Sequence, residues 1–268
     1  MRRLLIRSGA VGDCLVALPV MEFMRADYVE VWLPSPVVSL VQFADQVVPL
    51  LSTGIDRAGI GEPMSERLKQ RLSGFDEIVS WYGTNRPEFR AEVAGVASRV
   101  HFFPALPPPG CGMHVTDFLA AQVGAPSGLK LRLRFENIIR RDSIVIHPFS
   151  GGMRKNWPLA AYRELADRLG CAVEWNAGPE EPLEDAVRFD NLRELSRWIA
   201  GACAYVGNDS GVTHLAAATG VPTLALFGPA SSDVWLPRGD HVRVLKTDDL
   251  AALGVNAVLQ AVRELVGE

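Results

Sequence analysis

Three glycine-rich corners carry the side chains of this chain that could do chemistry. In the first, RRLLIRSGAVGDCLVALPV, an apolar strand runs into Gly9 and Gly12, and Asp13 opens the helix that follows. The glycines permit a tight turn and close approach of a ligand. This is not a GxGxxG dinucleotide fingerprint, and the next strand, YVEVWLP, ends in Pro34-Ser35-Pro36 rather than in an acid that could hold a ribose. Asp13 reads structurally as an N-cap or first-turn acid, because carboxylates favour that end of a helix.

The second corner is HPFSGGMRKNWPLAAYRELADRLG, with Ser150 and Gly151 ahead of Arg154 and Lys155. Loop amides, a serine hydroxyl and a lysine before a helix can cradle a phosphate. The order is not that of a Walker loop, and a glycine-rich turn with solvated cations is the structural alternative. Pro158 reads as the first helical residue and Gly170 as the helix end. Leu159, Tyr162, Leu165, Ala166 and Leu169 form its expected buried stripe.

The third corner, AYVGNDSGVTHLAAATGVPTLALFGP, is the most informative. Its strand ends at Gly207, Asp209 or Ser210 caps a helix from Gly211 to Thr219, and Gly220 stops it. Gly211 allows close approach, Thr213 and His214 lie in the first turn, and Ala216, Ala217 and Ala218 let the helix lie close to the sheet. A helix N-terminus at the carboxyl edge of a parallel sheet is where phosphate groups bind. A lone histidine is usually structural; one in that first turn is more often functional.

The elements that must position these corners follow from apolar periodicity. Candidate strands lie near 3–7, 28–33, 76–80, 99–103, 143–147, 171–175, 203–206, 223–227 and 241–245, with helical patterns between most of them. That alternation predicts parallel sheets with crossover helices. It runs twice, which predicts an N-terminal domain over 1–135 and a C-terminal domain over 136–268, with the last helix a candidate to pack back on the first. The turn-rich, basic stretch around Lys130, Arg132 and Arg134 marks the boundary. Trp81 and Tyr82 follow a strand and read as packing or as contacts for a second substrate. Cys111 and His114 lack further ligands, so His114 reads as a helix start rather than a metal site.

Composition excludes several classes. The net charge of −4 gives no global basic field for nucleic acid. The four cysteines make no CxxC pair, so neither a zinc site nor a disulfide framework is indicated. The N-terminal apolar run is broken by Arg7, Gly9, Gly12 and Asp13, unlike a signal peptide, and no run reaches the ~18–20 residues of a membrane span. A cytoplasmic protein is expected, with peripheral contact at the inner face of the membrane left open.

Taken together and in order, RSGAVGDCLVALPV, HPFSGGMRKNWP and GNDSGVTHLAAATGVPTLALFGP resemble the motifs of glycosyltransferase family 9, the ADP-heptose:lipopolysaccharide heptosyltransferases. The stretch GPASSDVWLPRGDHVRVL is similar as well. The resemblance implies an α/β protein of the GT-B fold, two Rossmann-like domains facing a cleft. It implies inverting, metal-independent transfer of a sugar, heptose-like, from a nucleotide-diphosphate donor such as ADP-heptose to a lipopolysaccharide-core or other glycan acceptor. The donor is then a substrate, and no cofactor or metal is expected. Asp13 matches the general base, on an acceptor-side loop with Gly9 and Gly12. Lys155 matches the lysine facing the diphosphate. Ser150 and Gly151 join it on the donor side, and Asp209, Ser210, Gly211 and His214 match the donor-binding turn. Glu180 or Glu181, in NAGPEEP, matches an acid reaching the nucleoside ribose; Glu181 is carried forward. Two other readings stay open: a nucleotide-sugar hydrolase or epimerase of the same fold, and a non-catalytic nucleotide-sugar-binding relic.

Overall fold

The computed structural model describes residues 1–61, 63–229 and 233–267. Residues 230–232, within GPASSDVWLPRGDHVRVL, lie outside the described residues. The chain forms two compact units, Met1–Leu129 and Lys130–Glu268.

The first unit is built on a parallel sheet ordered β3-β2-β1-β4-β5. Its strands are β1 (Arg2–Ile6), β2 (Tyr28–Leu33), β3 (Gln46–Pro49), β4 (Glu77–Ser80) and β5 (Val100–Phe102). Leu4, Leu5 and Ile6 are fully buried, as are Val31, Trp32 and Leu33. Such unbroken apolar runs are what a sheet covered on both faces requires. The helices are α1 (Val11–Leu15), α2 (Leu18–Phe23), α3 (Glu66–Ser73), α4 (Pro87–Ala94) and α5 (Val115–Gln122). Ser65 caps α3 by accepting the Leu68 N–H, and His114 caps α5 by accepting the Thr116 N–H at Nδ1.

Strand β3 was not among the strands expected from sequence. It is an edge strand of QVVP in which Gln46 is exposed and the rest only half-buried. Short half-exposed runs carry little periodic signal, and Pro49 removes a ladder donor at its end.

The second unit has a parallel sheet ordered β10-β9-β8-β6-β7. Its strands are β6 (Ser143–His147), β7 (Ala172–Trp175), β8 (Ala204–Asn208), β9 (Thr223–Phe227) and β10 (Val242–Lys246). Around them lie α6 (Leu159–Arg168), α7 (Leu192–Ala200), α8 (Gly211–Thr219) and α9 (Val255–Val266). The last helix, α9, buries Val258, Leu259, Ala261 and Val262 in the same core as Ile144, Ile146, Val206 and Leu226. That apolar face therefore belongs to the second unit.

Two details of the second corner differ from expectation. Pro158 is the N-cap of α6, one place before the first helical residue. Leu159 of the expected stripe is exposed, while Tyr162 and Leu165 are buried as expected. A first-turn residue points back over the preceding loop rather than onto the sheet, so the buried stripe starts one turn later.

Strand order places the corners. In the first sheet β1 lies between β2 and β4, and in the second β6 lies between β7 and β8. The chain leaves β1 toward β2 and later returns to β4 on β1's other side. It likewise leaves β6 toward β7 and returns to β8. Loops diverge at such reversals, and ligands bind there, outside the carboxyl ends of the strands. The first corner follows β1, the second follows β6 and the third follows β8.

Candidate functional site

In the first unit the geometry turns on Gly9. Its φ is +131°, and a β-carbon there would stand 2.9 Å from both Cβ and Oδ2 of Asp13. The missing side chain lets Asp13 fold back over the loop, where Oδ2 accepts the Ala10 N–H at 3.0 Å. Asp13 thus sits at the third position of α1 and caps it. Gly12 precedes it, and its carbonyl accepts the Val16 N–H at 3.1 Å.

Beneath this loop lies Arg7, only 1% exposed. One guanidinium nitrogen, Nη2, donates to the Asp13 carbonyl at 3.3 Å, while Nε has no partner among the described residues. Burial draws the Arg7 pKa down, opposed by Cys14 and Asp13. Burial also pushes the Cys14 thiol up to about 12. Trp81 is buried and donates to Gln122 at 2.7 Å, and Tyr82 packs edge-on against Phe89. Both aromatics are thereby engaged in packing.

In the second unit the second and third corners meet through Asn208, the last residue of β8. It is fully buried. Its Oδ1 accepts the Trp157 N–H at 3.0 Å and the Tyr162 hydroxyl at 2.9 Å, while Nδ2 donates to the Pro148 carbonyl at 2.8 Å. One amide thereby ties the loop after β6 and the start of α6 to the end of β8. The consequence is local order at the mouth: Lys155 Nζ lies 2.8 Å from Asp209 Oδ2, with Asp209 only 8% exposed. Ser150 Oγ is engaged within its own loop, 2.6 Å from Asn156 Oδ1. A β-carbon at Gly151 would meet nothing within 4 Å, so protein contacts alone do not demand glycine there.

Ser210 caps α8, its Oγ accepting the Thr213 N–H at 3.3 Å. Such a cap is worth about 1 kcal/mol. The Thr213 hydroxyl also lies 3.1 Å from the buried Tyr205 hydroxyl, whose pKa burial raises. The N–H groups of Gly211 and Val212 meet no acceptor among the described residues. The positive end of the helix dipole thus starts two residues after Asp209, whose carboxylate holds the Lys155 ammonium. His214 lies half-exposed in the same first turn.

Glu181 lies in the loop after β7. Its Oε2 accepts the Gly178 N–H at 2.5 Å and stands 3.9 Å from Nε2 of His147. His147 is buried at the end of β6, with Nδ1 3.1 Å from the Asn176 carbonyl. Burial lowers the His147 pKa, and Glu181 pulls it back up.

Ser150, Gly151, Lys155, Glu181, Asp209, Ser210, Gly211 and His214 thus all lie at the carboxyl edge of the second sheet. Gly9, Gly12 and Asp13 lie at the carboxyl edge of the first. Sequence reasoning passed over Asn208, Tyr205 and His147. Asn208 stood in plain view beside Asp209, but only its distant partners reveal its role. Among the described residues, no group of three or more His, Cys, Asp or Glu could hold a metal ion.

Two Rossmann-like units, each with an open-sheet reversal and a glycine-rich loop at it, define the architecture of the GT-B class. Residues 190–253, which contain α7, β8, α8, β9 and β10, match the family model for Glycosyltransferase family 9 (heptosyltransferase). That stretch holds the third of the three motifs and so supports the resemblance read from it. Lipopolysaccharide heptosyltransferase 1 of Pseudomonas aeruginosa is 40% identical over 92 residues, 29% of this chain and 26% of that relative. The match thus spans about a quarter of that curated relative. Among solved structures, E. coli ADP-heptose lps heptosyltransferase II superposes with a TM-score of 0.75 at 19% identity, covering 99% of this chain and 98% of that one. E. coli heptosyltransferase WaaC with ADP gives 0.67 at 17% identity, covering 99% and 100%. At these identities the structural likeness establishes the fold.

Proposed function

We propose that the chain is a glycosyltransferase that moves a heptose-like sugar from a nucleotide-diphosphate donor to a glycan acceptor, with inversion and without a metal. ADP-heptose is the leading donor and lipopolysaccharide core the leading acceptor, because the matched relatives carry those names. The observation that carries the reading is the Lys155–Asp209 pair set against the open amides of Gly211 and Val212.

As the bond to the sugar breaks, negative charge grows on the departing diphosphate. Preorganised donors aimed at that charge lower the barrier most. Lys155 and the start of α8 supply them, with Asp209 holding the ammonium in place before the donor arrives. His214 adds a further donor from the same turn. Glu181 is placed to meet the ribose once its carboxylate leaves the Gly178 amide. Ser150 and Gly151 line the loop that follows the diphosphate.

On the acceptor side, Asp13 takes the proton of the attacking hydroxyl as the new bond forms. Inversion requires that base opposite the leaving group. Its hydrogen bond to the Ala10 N–H fixes its direction, and Gly9 makes room for it. No helix among the described residues is long and apolar enough to cross a membrane. The proposed setting is the cytoplasmic side, with contact at the membrane face where a lipid-linked acceptor would be presented.

The test is a reaction of purified protein, ADP-heptose and a core-oligosaccharide acceptor in excess chelator, followed by ADP release and by the anomeric configuration of the product. Acceptor-dependent ADP release with inverted configuration is expected. Sugar release at the same rate without acceptor would establish a hydrolase instead. Activity only after metal is restored would overturn metal independence.

A further inference from the structure

The loop that follows β7 carries Glu181, and one exposed side chain grips its backbone at four points. The chain leaves β7 at Trp175 and returns beside it at Val187. There the Val187 N–H donates to the Trp175 carbonyl at 2.8 Å, and the Asn176 side-chain amide donates to the Val187 carbonyl at 2.9 Å. The ends are thus tied together, as in a compact Ω-shaped loop. Tight turns fill the space between. The Glu181 N–H donates to the Gly178 carbonyl at 3.2 Å, and the Ala186 N–H donates to the Leu183 carbonyl at 3.3 Å.

Arg188 bonds these same two carbonyls and two more. Its Nε donates to the Gly178 carbonyl at 3.2 Å and its Nη1 to the Ala186 carbonyl at 3.1 Å. Its Nη2 donates to the carbonyls of Glu181 at 2.9 Å and Leu183 at 2.8 Å. All three guanidinium nitrogens are used, and all four acceptors are backbone oxygens. A guanidinium carries five N–H donors in a rigid planar fork, so it fixes the relative placement of its acceptors in a way that a flexible ammonium does not. Arg163 on α6 pins the far side of the loop through Asp185, at 2.7 and 2.8 Å. Arg188 instead grips the backbone on both sides of Glu181.

That grip bears on the donor site. In the structure Glu181 Oε2 accepts the Gly178 N–H. When the carboxylate turns from that amide to a ribose, the loop loses one of its own ties. The carbonyls of Gly178 and Glu181 can stay on Arg188 throughout, so the backbone keeps its place while the side chain moves. A loop that is already ordered loses less conformational entropy on binding.

We propose that Arg188 is a positioning residue for the nucleoside half of the donor, holding the loop in its binding shape while Glu181 exchanges the Gly178 amide for the ribose. This rests on the donor reading above. Arg188 acts through Glu181 and touches no reacting atom. The diphosphate corner, on the loop after β6 and at the start of α8, does not depend on it.

The test is a double-mutant cycle by calorimetry in chelator, with ADP and inorganic pyrophosphate as probes. Arg188→Gln should weaken ADP about fivefold or more and leave pyrophosphate unchanged. Its melting midpoint should stay near the parent's, because Arg188 is exposed. In a Glu181→Ala background, Arg188→Gln should cost no further ADP affinity, since it acts through that carboxylate. Hydrogen exchange without nucleotide reads the loop directly: amides of 178–187 should exchange faster in Arg188→Gln, and the rest at the parent rate. Unchanged exchange in the loop, or unchanged ADP affinity, overturns the proposal. So does a double variant whose ADP loss is the full product of the two single losses, in a parent that binds both probes; the donor reading then stands and Arg188 alone is reassigned. Glu181→Ala binding ADP like the parent overturns the ribose assignment and the use of Arg188 with it. A parent that binds neither probe refutes the donor reading and this proposal together.

Discussion

Removing Lys155 tests the donor corner, because it does two things at once. It takes away a cation that the diphosphate would meet, and it uncovers Asp209, which is only 8% exposed and 2.8 Å from the ammonium. A charged hydrogen bond is worth about 1.5–3 kcal/mol, or roughly 10- to 150-fold in affinity. The Lys155 side chain is 37% exposed, so solvent screening favours the lower half of that range. An ammonium bridging Asp209 and a phosphate holds the two anions about 5–6 Å apart. At an effective dielectric of about 20–40, their bare repulsion is then roughly 1.5–3 kcal/mol. Lys155→Ala should therefore lose both contributions, whereas Lys155→Ala with Asp209→Asn should lose only the first. Isothermal titration with ADP in chelator gives the comparison. The expected order of affinity is parent, then double variant, then Lys155→Ala, with the double variant about tenfold tighter than the single. Unchanged ADP affinity in Lys155→Ala would refute the diphosphate assignment. A double variant no tighter than the single would refute Asp209's place beside the phosphate.

Asp13→Asn should lower kcat by about 10²- to 10⁴-fold while leaving ADP affinity intact, since a base contributes in the transition state and not in donor binding; full turnover in this variant would remove Asp13 as the base. Gly9→Ala forces a side chain into a left-handed backbone and against Asp13. It should cost on the order of 1–3 kcal/mol of stability by thermal melt and reduce turnover far more than ADP binding. A melt and rate equal to the parent would mean that the Asp13 fold-back is not needed. Cys14, with its thiol raised to about 12 by burial, should resist thiol reagents at pH 8 in the folded protein. Its folded pKa lies above the ordinary value, so the stability that depends on the neutral thiol is fully present below pH 9 and is lost as pH rises toward about 12. Mass-spectrometric mapping that found Cys14 labelled as fast as the exposed Cys171 would contradict its burial.

Much of this protein is legible in one dimension because local physics marks it. Strands β1 and β6 carry short apolar runs, Leu4 to Ile6 and Ile144 to Ile146, and both runs are buried in the parallel sheets that such runs imply. Helix α8 begins and ends where its punctuation says, with Ser210 capping it and Gly220 closing it at a φ of +86°. The three corners that suggested chemistry all stand at carboxyl edges of the sheets, and the third lies within the matched family stretch. These features depend on neighbours a few residues away, so the chain announces them.

What the tertiary structure decided depends on partners far along the chain. The orders β3-β2-β1-β4-β5 and β10-β9-β8-β6-β7 put the glycine-rich loops at the sheet reversals, and no periodicity encodes which strands pair. Edge strand β3 is too short and too exposed to show a pattern. The residue that ties the second and third corners, Asn208, looks like any loop amide until Trp157, 51 residues earlier, donates to it. Asp13 could be read as a cap or as a base. The structure shows the cap directly, through the Ala10 N–H, and the proposed base role would use the same fold-back that Gly9 permits. The cations at Lys130, Arg132 and Arg134 read as part of a domain boundary. Only docking against the end of α8, with Arg238 and His241 brought from the far side of β9, turned them into one wall of a cavity. Propensity and patterning act over a turn or a strand, whereas a site is a convergence of side chains that only the folded chain brings within a few ångströms.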